Sequence, residues 1–187
     1  MITRKENEYD NYEILTDFEN LYEAHRSCRK GKRWKDSVAT YDLRALESTL
    51  YLQYLLKTEK YTIGNYYCFT VNERGKLRNI KSAKYKDRVV QKNLCNNILK
   101  PRIAPTFIYN NGASLKGKGT DFTLDCLKED LRQHYRKHGT AGYILVGDFS
   151  GYFDSLQHEL LNGIYEEDFK DQRIIRLIKL IHASVGG

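Results

Sequence analysis

Proline is scarce in this chain, with two residues in 187. No long Pro/Ser stretch, low-complexity segment or internal repeat breaks it into separate modules. A length of this kind buries a core as one domain, or as two small ones sharing an interface. The four cysteines, Cys28, Cys68, Cys95 and Cys126, are widely separated and form no C-x-x-C pair. That spacing suggests neither a zinc site nor a disulfide framework, so reduced packing residues are expected. No apolar run is long enough to cross a bilayer, and no apolar h-region opens the chain. A cytoplasmic protein with no membrane partner is expected.

Acidic residues are outnumbered, 24 against 31 Lys and Arg, leaving a formal charge of +7. The cations run from Arg4 to Lys179 instead of gathering in one tail, and they are interleaved with 15 tyrosines. Cations meet phosphates and aromatic rings stack on bases, so nucleic acid is the leading anionic partner. The same pattern also suits a protein whose charges keep half-buried tyrosines in solution. The basic run over residues 29–35 carries both meanings, a backbone contact or a solvated face.

Along the chain, Thr16-Asp17-Phe18-Glu19 has the form of a capping box. Phe18, Leu21, Tyr22 and Cys28 then keep helical spacing up to Gly31. A second stripe, Leu43, Leu46, Leu50 and Tyr54, predicts another helix. From Tyr66 the period shifts to strands, with residues 66–71 and 76–81 forming a hairpin turned at Gly75. Val90, Leu94 and Ile98 predict a helix over 84–100 that Pro101 stops. Leu124, Leu127, Leu131 and Tyr135 predict a further helix capped by Gly139. A buried strand is expected at 143–149, a short helix near 155–161, and a last helix with Ile174, Leu177, Ile178 and Ile181 on one face. The mixture is α+β.

Three segments carry chemistry. Tyr143-Ile144-Leu145-Val146-Gly147-Asp148-Phe149-Ser150-Gly151-Tyr152-Phe153 delivers a carboxylate at the end of an apolar run, where it needs a cation or hydrogen-bond donors. Asn110-Asn111-Gly112-Ala113-Ser114-Leu115-Lys116-Gly117-Lys118-Gly119-Thr120 combines glycines and lysines ahead of a helix. It lacks the full P-loop pattern, which weakens an ATPase reading. Lys86-Asp87-Arg88-Val89-Val90-Gln91 opens the helix after the hairpin. In order and separation these segments resemble the reverse transcriptases of bacterial retroelements, the group that includes group II intron, retron and diversity-generating enzymes. The resemblance spans residues 66–160, about half of the chain.

The resemblance implies right-hand polymerase fingers over residues 63–140 and the first strand and helices of the palm over 141–187, behind an N-terminal helical extension at 1–62. It implies RNA-directed DNA synthesis with an RNA template, a DNA primer and dNTPs, through two Mg2+ ions about 3.5 to 4 Å apart. Asp148 matches the first catalytic aspartate, and the Phe149 carbonyl an added metal ligand. Gly151 and Tyr152 match positions whose N–H groups face the triphosphate, and Phe153 matches the bulky gate that rejects a 2'-OH. Lys76 and Arg78, on one face of the second hairpin strand, match the cations that close on the incoming nucleotide. Lys86, Arg88 and Gln91 match a template-holding segment, and Asn110, Gly112, Ser114 and Lys116 a loop that approaches the template. The family's paired aspartates and thumb have no counterpart here. These 187 residues are therefore expected to be the fingers and early palm of a longer enzyme, inactive alone and self-associating through an incompletely covered last helix. A noncatalytic RNA-binding module and an RNA-dependent RNA polymerase are the alternatives; Phe153 argues against the second.

Overall fold

The computed structural model describes residues 9–185, leaving aside the side chains at 153, 154 and 185. In chain order its elements are α1 (Tyr12–Thr16), α2 (Phe18–Arg29), α3 (Asp36–Leu43), α4 (Ala45–Lys57), β1 (Tyr67–Glu73), β2 (Lys76–Ser82), α5 (Tyr85–Leu94), α6 (Lys100–Ile103), α7 (Thr120–His138), α8 (Tyr152–Ser155), α9 (His158–Asp168) and α10 (Gln172–Val185). The fold is mixed helix and sheet, and a two-stranded antiparallel ribbon is the only sheet among the described residues. Packing divides the chain into two units, one running up to Arg102 and resuming at Gln157, the other Ile103–Leu156. These boundaries differ from the three regions that the resemblance implies. None of the described helices is long and apolar enough to cross a membrane.

The first unit owns the buried core. Its opening is two capped helices instead of the one expected. Asn11 accepts a hydrogen bond from the Glu13 N–H at 2.9 Å and starts α1. Asp17, not Thr16, caps α2 by accepting from the Asn20 N–H at 2.9 Å. Thr16 is already spent, because its hydroxyl donates to the Glu13 carbonyl. An Asp at the N-cap satisfies an orphan amide and suits the positive helix end.

Leu15, Leu21, Val38, Leu56, Val89, Val90 and Ile98 are wholly or almost wholly buried, joined by Phe169 and Ile174 from the far end of the chain. This corrects the expectation for the last helix. Ile174, Leu177 and Ile178 of α10 lie inside the core, so the face expected to be incompletely covered is covered within this unit. Asp171 ties the two ends together: its carboxylate accepts from the Tyr12 N–H at 3.0 Å and pairs with Arg173.

On α4 the expected stripe faces the wrong way. Leu46, Leu50 and Tyr54 are exposed, as is Leu43 at 87%, whereas Thr49, Leu52 and Leu56 are buried. The helix is apolar around most of its circumference, so periodicity does not select the inner face. The helix expected over 84–100 also differs, since Pro101 does not stop it. A wider π-type turn over Cys95–Leu99 precedes the proline, with the Lys100 N–H bonded to the Cys95 carbonyl, and helix resumes through Ile103. Widening the turn relieves the proline ring's clash with the preceding carbonyls.

The hairpin forms as expected. Glu73 pairs with Lys76 across a two-residue turn in which Arg74 and Gly75 both have positive φ, 52° and 82°. That is the type I' geometry whose twist matches antiparallel strands.

In the second unit α7 ends at Gly139, whose φ of 66° closes the helix by a bond from its N–H to the Tyr135 carbonyl. The stripe Leu124, Leu127, Leu131 and Tyr135 is exposed, however. The buried strand expected over 143–149 does not form. Those residues form no regular element and are exposed, with Leu145 at 97%. A strand buried on both faces needs neighbours along its edges, and no described strand pairs with it.

Candidate nucleic-acid interface

A cleft of about 560 Å³ opens between α3, the start of α4, the base of the hairpin and the start of α5. Lys35, Arg44, Lys84, Lys86 and Arg88 line it, and no described carboxylate does. Hydroxyl groups of Ser37, Thr40, Ser48 and Ser82, with Tyr41, Tyr67 and Tyr85, complete the wall. Five cations with hydroxyl donors between them form a surface that takes anionic oxygens, and phosphates suit both kinds of donor.

Buried polar groups fix this wall. Asp87 is fully buried on α5. It accepts hydrogen bonds from the Tyr61 hydroxyl at 2.7 Å and the Gly64 N–H at 3.0 Å, which ties the segment entering β1 to the helix. Burial and then the Asp87 carboxylate push the Tyr61 hydroxyl far above its ordinary value, so it stays a donor. A Cβ at position 64 would lie 2.6 Å from the Lys84 side chain and 3.3 Å from Asp87, so a larger residue there would have to displace the lysine stem and crowd the carboxylate. Lys86 and Arg88 flank Asp87 at about 100° to either side of the helix. Lys86 Nζ sits 5.9 Å over the Tyr61 ring, and Arg88 donates to the Ser82 hydroxyl at 3.0 Å.

The other wall is pinned through His25, fully buried on α2. Its Nδ1 lies 3.0 Å from the Tyr85 hydroxyl and its Nε2 lies 3.0 Å from Asp42 Oδ1. Three helices, α2, α3 and α5, thereby share one network. Burial lowers the His25 pKa, with Asp42 opposing. Burial alone would raise Asp42, but hydrogen bonds from Arg29 and His25, with Arg33 nearby, hold it below the usual carboxylate value. Arg29 and Arg33 of the basic run are thus committed to Asp42. Lys35, from the same run, lines the cleft instead.

The sequence-predicted residues fall in several places. Lys86 and Arg88 meet in the cleft, whereas Gln91 lines a neighbouring groove that shares Arg88. Lys76 and Arg78 lie on one face of the hairpin, where Arg78 pairs with Glu73 at 3.0 Å in an exposed ion pair. In the second unit, Asn110 and Gly112 line a shallow depression with Thr120 and Thr123, which Ser114 and Lys116 do not reach. Gly112 has a packing reason, since a Cβ there would collide with Thr123 Oγ1 at 1.9 Å. Lys118 packs over the Tyr109 and Phe122 rings at 4.8 and 4.6 Å.

Asp148 and Phe149 are exposed, with the Phe149 ring 6.1 Å from that of Tyr152. Gly151 precedes α8 in a left-handed conformation, and Tyr152 begins that helix. The side chain of Phe153, the expected sugar gate, lies outside the described residues. Among the described residues no three His, Cys, Asp or Glu side chains come together to hold a metal ion.

Among the cleft residues that the sequence did not single out are Arg44, Ser48, Tyr67 and Lys84. Arg44, the N-cap of α4, and Ser48 are one helical turn apart, and taking Leu43 to Tyr54 as the inner stripe hid them. No protein-family model matches the chain, and no curated protein matches it.

Proposed function

We propose that this chain grips the sugar-phosphate backbone of an RNA template in the α3–α5 cleft, as the fingers part of an RNA-directed DNA polymerase of the bacterial retroelement kind. The observation that carries this reading is the cleft itself: five cations and no described carboxylate, with Lys86 and Arg88 among them. The order of the motifs supports the polymerase half of the reading. The exposed, unpaired course of residues 143–149 supports a second reading, in which the chain binds RNA without catalysis.

Binding is tested by titrating a fluorescent single-stranded RNA at several salt concentrations. Each neutralised phosphate contributes about −0.7 to the slope of log K against log salt on a single strand. The double substitution Lys86→Glu with Arg88→Glu is expected to weaken binding and flatten that slope by about 1.4 or more. Salt-independent binding, or a slope the substitutions leave unchanged, rejects the cleft. Catalysis is tested separately by primer extension on an RNA template with dNTPs and Mg2+, in a protein that also carries paired palm aspartates. No extension there, or extension indifferent to Asp148→Ala, rejects the polymerase half and leaves the noncatalytic reading.

A further inference from the structure

The ribbon that rises from this cleft is unusually bare. Every residue of β1 is exposed, including Tyr67 at 64% and Phe69 at 50%. A lone two-stranded hairpin is marginally stable in water, and large apolar groups on one of its faces call for a partner. The register defines that face. Tyr67 pairs with Ser82, Phe69 with Ile80 and Val71 with Arg78, so the two aromatic rings, Val71, Ile80 and the Arg78 cation lie on one side, with Lys76 at its tip. Tyr67 and Ser82 also line the cleft, so the face continues directly from the cationic wall.

We propose that this face stacks the unpaired bases of a single-stranded RNA whose phosphates lie in the cleft. The proposal rests on the cleft being a backbone site and goes beyond it by naming the strandedness of the ligand and the groups that read it. Charge complementarity and continuity both favour this occupant. Beyond the rings on that face come Arg78, opposite Val71, and Lys76, opposite Glu73 at the tip, so two cations stand against one carboxylate, and an RNA strand leaving the cleft passes Tyr67 first. Residues two apart on an antiparallel strand are separated by about 6.8 Å. That is about twice the 3.4 Å rise between stacked nucleotides, the spacing needed to admit one base between two rings. A duplex keeps its base faces stacked on one another and offers none to Tyr67 or Phe69. Arg78 is held by Glu73 in an exposed pair, the kind that a phosphate displaces at little cost.

The test compares single-stranded RNA with a duplex of the same sequence, using a 2-aminopurine reporter in the single strand. Tyr67→Ala and Phe69→Ala are each expected to lower single-strand affinity roughly five- to a hundredfold. Both should remove the quenching of the reporter, and Phe69→Ala, which stands outside the cleft wall, should leave duplex affinity and the salt slope unchanged. Tyr67→Phe and Phe69→Tyr, which keep a ring, should retain binding and show that the hairpin itself is intact. Equal losses on duplex and single strand, or no loss on either, would overturn the proposal while salt-dependent binding still upheld the cleft. Dissociation of a dimer on Tyr67→Ala, seen by sedimentation, would assign the face to a second copy and overturn it too. Absence of any salt-dependent binding would instead remove the cleft reading on which the proposal rests.

Discussion

The two units of the chain are made on different principles. The unit that runs to Arg102 and resumes at Gln157 is organised around side chains removed from water, with Leu21, Leu56, Val90 and Ile174 at or near zero exposure. The unit Ile103–Leu156 contains no buried residue among those described. Its helix α7 is 19 residues long, yet the leucines on one side of it are all more than two-fifths exposed. The second unit nevertheless holds the glycine-lysine loop and Asp148, two of the three segments in which the resemblance lies. A motif can thus be legible in sequence where the segment bearing it has not acquired a core. The cleft, by contrast, is built on the packed unit, where buried Asp87 and His25 hold its wall.

The sharpest way to break this contrast is to delete methylenes on both sides of it. Leu21→Ala, in the packed unit, is expected to cost about 2–5 kcal/mol of unfolding free energy in a urea titration. Leu127→Ala, on the exposed side of α7, should change it by no more than about 0.5 kcal/mol. Comparable losses for the two substitutions would show that α7 is covered in solution and would erase the distinction. Hydrogen exchange gives an independent reading, with amides of α2 and α5 expected to outlast those of α7.

What the sequence revealed follows the same line. Features decided by a few neighbouring residues were legible: the Arg74-Gly75 turn, Gly139 closing α7, and the presence of α10. Features decided by remote partners were not. Leu43, Leu46, Leu50 and Tyr54 have faultless helical spacing, but Leu52 and Leu56 lie inside because the buried faces of α1 and α2 meet that side. Residues 143–149 have the composition of a strand, but composition supplies no partner. In the candidate site Lys86 and Arg88 were legible from their motif. Arg44 and Tyr67 were not, since only the packing of α4 and the hairpin base brings them alongside. Pro101 misled for a third reason, because a π-type turn absorbs it without ending the helix.

The His25 network sharpens the contrast by pH, since it belongs to the packed unit alone. His25 faces Asp42 and Tyr85, with Tyr41 and Tyr22 beside its ring and Arg29 and Arg33 behind Asp42. Burial places its folded pKa below the ordinary 6.5. As pH falls through 6.5 the unfolded chain takes up the proton first, so stability declines on the acid side until the folded pKa is reached. Asp42, also depressed, adds its own loss in a lower window, as pH falls below its ordinary 3.8. Urea midpoints at pH 7.5 and 5.5 should therefore differ in the wild type, by a slope no steeper than about 1.4 kcal/mol per pH unit for one proton. In His25→Gln that difference should shrink. A wild-type midpoint that rises on acidification would show that Asp42 outweighs burial, and that His25 is held as a cation.

The smallest effect separates the binding surface from the core that supports it. Glu73 and Arg78 are both more than half exposed, so their 3.0 Å pair competes with water and with salt. Glu73→Gln is expected to leave the urea midpoint within about 0.5 kcal/mol of the wild type. Yet it removes the described carboxylate paired with Arg78 and leaves that guanidinium available to a phosphate. Affinity for single-stranded RNA should then rise, and the salt slope should steepen by up to about 0.7, the share of one additional phosphate. If instead the substitution unfolds the ribbon or weakens binding, Glu73 is a strut of the hairpin and not a gate on Arg78. The cations of the ribbon would then have to be assigned to holding the strands together, leaving the cleft on α5 as the whole of the phosphate-binding surface.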